Sequence, residues 1–311
     1  MSIASIQSKY PSAIWVDLNY GSTGTGTVDD PYNNFATAVA DISTDANVLA
    51  FKDGSHSLVQ SQTGGNSTTS TFAFSGGSTA TKLTIVGEST DGTTLIASGS
   101  SWGSAFNLRG TSIGLKLETL TLRNDTNVHT GVIVCGNNTS VEAIECKLTL
   151  GAAATDNGNG WFVGDAIPDS SLTIKNCFID CASNSTGKGA LAGGSSEDGY
   201  NVFDIQGNTL VINGGSANYY IDNNVGGDLS SFVLKNNILV GNKGTELISN
   251  TTTNISPTSA SHNCYHNLGV NSGNAPDSAG AVFADPQFVD SANGDYRLRP
   301  TSPCIGAGTA S

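Results

Sequence analysis

One pattern recurs in four segments of this 311-residue sequence: VEAIECKLTL (141–150), SLTIKNCFID (171–180), VFDIQGNTLVI (202–212) and SFVLKNNILV (231–240). Each segment has an alternating apolar stretch, then a polar or glycine corner, then a second short apolar stretch. The corners are Glu145, Asn176, Gly207 and Asn236, which follow one another at intervals of 31, 31 and 29 residues. A weaker copy, LKLETLTLRN (115–124), places Glu118 27 residues before Glu145, and SHNCYHN (261–267) continues the series.

A period of this length indicates stacked units of secondary structure. The elements within each period are short strands separated by Gly, Asn, Ser and Asp. We therefore predict an all-β parallel β-solenoid, with three strands per coil and about seven or more coils. Neighbouring strands lie about 4.8 Å apart, so the coils between residues 80 and 269 would form a rod of roughly 30–35 Å.

The residue after each corner is expected to stack on its counterpart in the next coil. These residues are Cys146, Cys177, Asn208 and Asn237, and inward Asn side chains at such positions can form a ladder of amide hydrogen bonds. Cysteine is a small apolar substitute there, which favours a structural role for Cys146 and Cys177. The six cysteines contain no CxxC pair and do not form a small-domain disulfide framework; they are Cys135, Cys146, Cys177, Cys181, Cys264 and Cys304.

Two different caps are expected at the ends of the coils. NFATAVADI (34–42) has the spacing of an amphipathic helix, which would cover the first open coil. Residues 270–311 lose the coil rhythm and contain four prolines, which favours an irregular lid. The predicted organisation is therefore an N-terminal strand, Gly-rich loop and capping helix over 1–57, coils over 58–269 and a C-terminal cap over 270–311.

The two ends of the chain also carry motifs. The sequence IWVDLNYGSTGTGTVDDPYNNFATAVADI (14–42) resembles the entry motif of right-handed parallel β-helix proteins of the pectate-lyase-like superfamily. The sequence FADPQFVDSANGDYRLRPTSPCIGAG (283–308) resembles their terminal motif. The resemblance implies a right-handed parallel β-helix. It does not specify an activity, because that superfamily includes lyases, hydrolases, esterases, adhesins and phage tailspikes.

Composition narrows the range of partners. The chain has 13 Lys and Arg against 26 Asp and Glu, a formal charge of −13, with 38 Gly and 30 Asn. Clustered basic residues are needed to bind nucleic acid, so DNA and RNA are poor partner predictions. No apolar run is long enough to span a membrane. The N-terminus lacks the basic and apolar regions of a secretory signal, which favours synthesis in a cytosol over export with a signal that has been removed.

No complete catalytic motif is evident. A hydrolase would need convergent carboxylates, yet Asp165, Asp180, Asp204 and Asp222 fall on different parts of their coils. His262, Cys264 and His266 alternate along one strand, which places adjacent ligands too far apart to converge easily on one metal ion. Neither a metal nor another cofactor is predicted, and whether the protein is an enzyme stays open.

Glycan contact is the remaining candidate chemistry. Trp102, Trp161, Tyr219 and Tyr220 occur where strands meet loops, and aromatic rings can pack against sugars. Lys175 and Lys235 occupy equivalent outward positions and could bind an anionic glycan or simply aid solubility. Phe178 and Ile238 also point outward, which would suit either a homotrimer contact or support for a loop.

Three functions remain open. The first is a phage virion component, such as a tailspike, fibre or capsid-surface protein, that displays the β-helix to a host-surface polysaccharide and contacts other virion proteins. The second is a lyase or glycoside hydrolase acting on a polysaccharide. The third is a bacterial surface adhesin. The first places the protein in a virion made in host cytoplasm. The second places it outside the cell or on a virion, and the third places it on the cell surface.

Overall fold

The structure of the chain is a computed structural model. It describes residues 1–43, 47–60, 82–99, 106–107, 114–125, 133–135, 140–150, 161–164, 170–180, 189–194, 202–212, 219–222, 230–248, 257–268, 277 and 279–309. Within these ranges the fold is all-β, with long stacks of parallel strands and two short α-helices, as expected of a parallel β-helix. Neither helix in the described part has the length needed to cross a membrane.

The helices are α1 (Ile3–Lys9) and α2 (Phe35–Ala40), and a 3₁₀ turn covers Ser291–Asn293. The strands, in chain order, are β1 (Ile14–Val16), β2 (Val48–Phe51), β3 (Gly54–Gln60), β4 (Lys82–Gly87), β5 (Thr93–Gly99), β6 (Phe106–Asn107), β7 (Gly114–Glu118), β8 (Thr121–Asn124), β9 (Ile133–Cys135), β10 (Ser140–Ile144), β11 (Lys147–Leu150), β12 (Phe162–Gly164), β13 (Ser171–Lys175), β14 (Phe178–Asp180), β15 (Gly189–Gly194), β16 (Val202–Gln206), β17 (Thr209–Val211), β18 (Tyr219–Asp222), β19 (Ser231–Lys235), β20 (Ile238–Ile248), β21 (Ser259–Ser261), β22 (Cys264–Leu268), β23 (Phe288–Asp290) and β24 (Asp295–Leu298).

The strands form three stacks, in which each strand pairs with its counterpart one repeat later. The first stack is β1-β2-β4-β7-β10-β13-β16-β19-β21. The second is β3-β5-β8-β11-β14-β17-β20-β22, and the third is β6-β9-β12-β15-β18-β20. The long strand β20 joins the last two stacks. We call each set of consecutive strands from one repeat a rung. Pairing in the three stacks is parallel, and the first stack already includes β1 and β2, inside the segment assigned from sequence to the N-terminal cap.

Alternation along each strand fills the interior. In β13 the burial of side chains alternates, with Leu172 and Ile174 inward and Thr173 outward. In-register pairing then places Leu172 beside Phe203 and Ile174 beside Ile205 in the next rung. Because the register does not slip between these rungs, like side chains form continuous apolar columns in one core.

A single residue with left-handed φ turns the chain from the first stack into the second. Glu145, Asn176 and Asn236 have φ of 53°, 53° and 57°, and Gly207 has 69°. These are the four corners that the repeat pattern predicts. In the preceding rung the corner is Thr119 (φ 54°) and not Glu118, because Glu118 pairs with Ile144, one residue before the Glu145 corner. The predicted corner at Glu118 is therefore wrong by one residue.

The position after each corner points inward and forms a hydrogen-bonded column. The backbone N–H of Cys177 donates to Asn208 Oδ1 at 2.9 Å, and that of Asn208 donates to Asn237 Oδ1 at 3.0 Å. Asn237 N–H donates in turn to Asn263 Oδ1 at 2.9 Å. Each of the three Asn side chains also donates through Nδ2 to a carbonyl oxygen of the preceding rung. The column thereby satisfies buried polar groups at the corner.

The two ends of this column differ. Asp277 accepts from Asn263 through both carboxylate oxygens, at 2.8 Å from N and 2.7 Å from Nδ2, so a carboxylate terminates the amide ladder. At the other end Cys146 N lies 3.4 Å from Cys177 Sγ. Burial raises the pKa of the Cys177 thiol, and both cysteines are reduced and buried, as structural residues would be.

Two helices cover the early rungs. Helix α2 buries Ala38 in the main core, and Phe35 stacks on Phe51 with ring centroids 6.2 Å apart. Helix α1, which the sequence did not predict, packs Ile6 against Trp15 and other residues on the outer face of the first stack. Strand β2 is consequently buried on both faces, which explains its uninterrupted apolar sequence, VLAF.

The C-terminal segment is more than a lid over the last rung. Val282 adds a bridge beside Cys264, and the chain then forms the antiparallel hairpin β23–β24. This hairpin folds back along the outer face of the second stack, where Tyr296 stacks on Phe178 with centroids 4.5 Å apart. Phe178 thus supports a segment of its own chain, one of the two roles expected from its outward position.

Candidate functional site

The two lysines proposed as glycan contacts lie on the outer face of the first stack. Lys175 forms an ion pair with Asp204 Oδ2 at 2.6 Å, so its charge is compensated within the protein. Lys235 lies two rungs away in the same column, with Gln206 between the two lysines. Similar pairs join Lys82 to Glu142 and Lys116 to Glu118 on this face. This arrangement is typical of a solvated outer face with balanced charge.

The aromatic candidates do not converge either. Trp161 has 0% of its surface exposed, and its Nε1 donates to the Asp180 carbonyl at 2.8 Å, so the prediction of a surface contact is wrong for this residue. Its ring belongs to the core instead. The backbones of Tyr219 and Tyr220 belong to β18 in the third stack. Trp102 lies outside the described residues.

The carboxylates considered for hydrolysis occupy different stacks. Asp180 is in the second stack, Asp204 in the first and Asp222 in the third. Asp165 lies outside the described residues. His262 sits at a corner with φ 57°, whereas Cys264 and His266 follow in β22. In the described part of the chain no group of three His, Cys, Asp or Glu side chains could hold a metal ion.

A cleft that the sequence did not predict lies between the outer face of the second stack and the C-terminal hairpin. Its floor consists of Lys147, Phe178 and Thr209 from three successive rungs. At about 4.8 Å between strands, three rungs extend about 10 Å along the stack. The cleft has a volume of about 510 Å³, within the range of sites that bind small molecules.

One wall of the cleft is built from the corner column. Glu145 and Asn176 line it, together with Asp91 from the turn before β5. The hydroxyl of Thr90 donates to the Glu145 carbonyl at 3.0 Å, which fixes that turn against the corner. The left-handed conformation at Glu145 directs the chain around the corner and leaves this side chain exposed to solvent.

The other wall is the hairpin, which contributes Gly294, Asp295, Tyr296 and Arg297. Phe178 and Tyr296 form an aromatic pair, and Phe288 meets Tyr296 edge to face at 5.2 Å. Lys147 Nζ lies 5.9 Å from the centroid of the Phe178 ring, within the range of a cation–π contact. Apolar rings beside hydroxyl, amide and charged groups are suited to a sugar, which has both C–H faces and hydroxyl groups.

The positive charge that the hairpin brings to the cleft belongs to Arg297, and Asp295 compensates it. Arg297 Nε and Nη2 donate to the two oxygens of Asp295 at 2.8 and 2.6 Å. These hydrogen bonds lower the pKa of the Asp295 carboxyl to about 2, and they raise the pKa of Arg297. Both groups therefore stay ionised and paired at neutral pH.

A smaller cleft of about 220 Å³ lies on the other side of Tyr296. It is lined by His266 and Asn267 of the last rung and by Asp285 and Ser291 of the C-terminal segment. Tyr296 thus separates two depressions along the same outer face.

One residue of the main cleft, Phe178, could be identified from the sequence as unusual. The alternation of the repeat predicts that Phe178 points outward, and an outward aromatic ring is unusual on a solvated face unless something covers it. Its partner, Tyr296, stands within the terminal motif more than a hundred residues later, and no local pattern relates the two positions.

Comparison with known proteins adds no relative. No protein family matches the chain, and no curated protein or solved structure matches it significantly.

Proposed function

We propose that this chain is a right-handed parallel β-helix of the pectate-lyase-like superfamily, and that it serves as a surface component of a phage particle that contacts host glycan. The main support is the cleft beside Phe178 and Tyr296, which combines an aromatic wall with polar groups on a regular stack of strands. The superfamily assignment rests on the two terminal motifs and on the parallel stacks.

The stacked strands provide the rigidity that display requires. Each floor residue of the cleft belongs to a strand paired on both sides, so its backbone position is fixed by two ladders of hydrogen bonds. A preformed site loses little conformational entropy when a ligand binds. A protein that contacts glycan at the virion surface, held in place by other virion proteins, would use both the rigid backbone and the preformed cleft.

Binding of oligosaccharides to the full chain tests the proposal. A panel of host-surface oligosaccharides is titrated against wild type, Tyr296→Ala and Lys235→Ala. We expect a ligand whose affinity falls about tenfold or more in Tyr296→Ala, because the aromatic wall is lost, and changes less than twofold in Lys235→Ala. Equal losses in the two variants would place the contact outside the cleft. Phage tail or capsid genes beside this gene would support the virion assignment.

A polysaccharide-degrading enzyme is the second candidate. The observation that favours it is that Asp91, Glu145 and Asp295 line one cleft, since paired carboxylates carry out glycoside hydrolysis. Incubation with polysaccharides would be followed by a reducing-end assay and by ultraviolet absorbance of unsaturated uronates. Product that wild type forms and Glu145→Gln does not would establish hydrolysis or elimination at this site. If wild type forms no product, glycan binding without catalysis remains as the proposal for these substrates.

A further inference from the structure

We propose that the cleft selects oligosaccharides that carry protonated amino groups, and disfavours those that carry carboxylates. This inference rests on the proposed glycan-binding function and specifies its ligand class. The preference depends on the charged residues that line the cleft. Some of them are paired with each other, and the others are available to a ligand.

The hairpin residues that line the cleft contribute no net charge, because Asp295 and Arg297 have opposite charges. The Arg297 guanidinium is bound by both oxygens of Asp295, with separations of 2.6 and 2.8 Å. This two-bond arginine–carboxylate pair orients both groups and compensates the charge of each. Arg297 therefore adds no uncompensated positive charge to the cleft.

The opposite wall carries uncompensated negative charge. Glu145 and Asp91 are both exposed, and neither has an ion-pair partner among the residues that the structure describes. Because Thr90 is hydrogen-bonded to the Glu145 backbone, the turn carrying Asp91 stays beside the corner that carries Glu145. Two carboxylates on one wall form an acceptor set for an ammonium group.

Lys147 opposes these carboxylates only in part. Its Nζ lies over the Phe178 ring, at the floor, and it contributes one positive charge against two negative charges. The cleft is therefore net negative within a chain whose total charge is −13. A uronate oligosaccharide would enter against this potential, whereas an amino sugar would gain charge-assisted hydrogen bonds.

Three tetrasaccharides of matched length separate the possibilities: glucosamine, N-acetylglucosamine and galacturonate. Each is titrated calorimetrically against the full chain at about pH 6 and low salt, where amino groups are protonated and uronates are ionised. We expect the glucosamine tetramer to bind about tenfold more tightly than the N-acetylated tetramer, and the galacturonate tetramer to bind most weakly.

Variants localise the preference. Glu145→Gln and Asp91→Asn should each weaken binding of the glucosamine tetramer about five- to tenfold, and change binding of the N-acetylated tetramer less than twofold. Asp29→Asn removes the same charge from an exposed loop residue outside the lining of the cleft, and should leave both affinities unchanged. A folded-state control is the thermal midpoint of each variant.

The outcomes distinguish the two proposals. Tightest binding of galacturonate, or an amino preference that survives in both cleft variants, overturns this inference but leaves glycan binding standing. If the N-acetylated tetramer binds tightly and the glucosamine tetramer binds no more tightly, the amino preference is likewise overturned and glycan binding still stands. If no tetramer binds, while the variants and wild type are folded, neither the amino preference nor the glycan-binding function holds for these ligands.

Discussion

At the scale of the residue, one position in each rung turns the chain and the next satisfies the polar groups that the turn leaves behind. Asn236 adopts left-handed φ, and Asn237 then fills the column beneath it. Asn suits the first position because its short polar side chain tolerates left-handed φ, and it suits the second because its amide both donates and accepts. Glycine at Gly207 meets the same backbone requirement without a side chain.

Replacing a ladder amide should be costly. Asn237 accepts from Asn208 and donates to Asn263 and to the Ile205 carbonyl, in a site that is 1% exposed. Asn237→Ala leaves several buried groups unpaired and is expected to lower the free energy of unfolding by about 3 kcal/mol. Urea denaturation measures this change, with the exposed Asn293→Ala as the matched control. Equal stability of the two variants would contradict a stabilising ladder.

A corner substitution should have the opposite sign. Thr119 is β-branched at φ 54°, and its buried Oγ1 has no hydrogen-bond partner among the described residues. Thr119→Gly removes both penalties and is expected to raise the free energy of unfolding by about 1 kcal/mol, in spite of glycine's greater freedom in the unfolded chain. Thr149→Gly, in strand β11, should instead lower it by about 1 kcal/mol. Destabilisation by both would rule out strain at the Thr119 corner.

At the scale of the element, two segments far apart in sequence attach to the outside of the stacks. Helix α1 is held by Glu118, whose carboxylate accepts from Lys9, from Tyr10 at 2.5 Å and from Lys116 at 2.9 Å. The hairpin β23–β24 is held by the Phe178–Tyr296 stack. The helix thus adds charged hydrogen bonds to its apolar packing of Ile6 on Trp15, whereas the hairpin contact is between apolar rings.

The Glu118 attachment should depend on pH. Burial alone would raise the pKa of this carboxyl, but the hydrogen bonds from Lys9, Tyr10 and Lys116 outweigh burial and lower it from the usual 4.5. A lowered folded-state pKa means that the stabilisation is present above about pH 4.5 and is lost as the pH falls further.

Urea unfolding of wild type and Glu118→Gln between pH 6 and pH 3 measures this contribution. The difference in the free energy of unfolding should be largest at pH 6 and shrink towards pH 3. Tyr10→Phe, which removes one bond to the carboxylate, should cost about 1–2 kcal/mol at pH 6. A difference that stays constant over this range would exclude titration of Glu118 as the cause.

The hairpin should loosen without its aromatic contact. Tyr296→Ala removes the ring from both Phe178 and Phe288, and loss of such contacts typically costs about 1–3 kcal/mol. Hydrogen exchange should accelerate in residues 288–298 and stay unchanged in β10 and β13. Tyr296→Phe retains the stack and serves as the control. Unchanged protection of the hairpin in Tyr296→Ala would mean that other contacts hold it.

At the scale of the whole molecule, the outer faces combine ion pairs with uncharged polar side chains. The chain has 26 acidic and 13 basic side chains, a net charge of −13, so at least half of the negative charges have no basic partner in one-to-one pairing. Mutual repulsion between molecules therefore depends on the ionisation of unpaired carboxylates. The apolar side chains Phe283 and Ile305 are 67% and 56% exposed on the C-terminal segment.

Solubility should fall as this charge is lost. The sequence pI is about 4.4, and proteins near zero net charge tend to associate. Turbidity and light scattering are expected to rise as the pH falls from 7 towards 4.4. Phe283→Ser should shift the onset to lower pH, because an exposed apolar contact is removed, whereas Ser291→Ala, at an exposed polar position, should not. Scattering that is independent of pH would show that charge does not control association.

The repeat, the inward position after each corner and four of the corners can be predicted from the sequence alone; these corners are Glu145, Asn176, Gly207 and Asn236. The prediction succeeds because the requirements of left-handed φ and alternating burial are local and recur in every rung. The exact corner at Thr119 could not be predicted, because Glu118 and Thr119 are adjacent polar residues and neither is Asn or Gly. Helix α1 and the cleft were decided only by tertiary structure, since their contacts join residues separated by about 108 and 118 positions, such as Tyr10 to Glu118 and Phe178 to Tyr296. Local periodicity carries no information about which distant segment covers an outward side chain; packing on the finished stacks determines that.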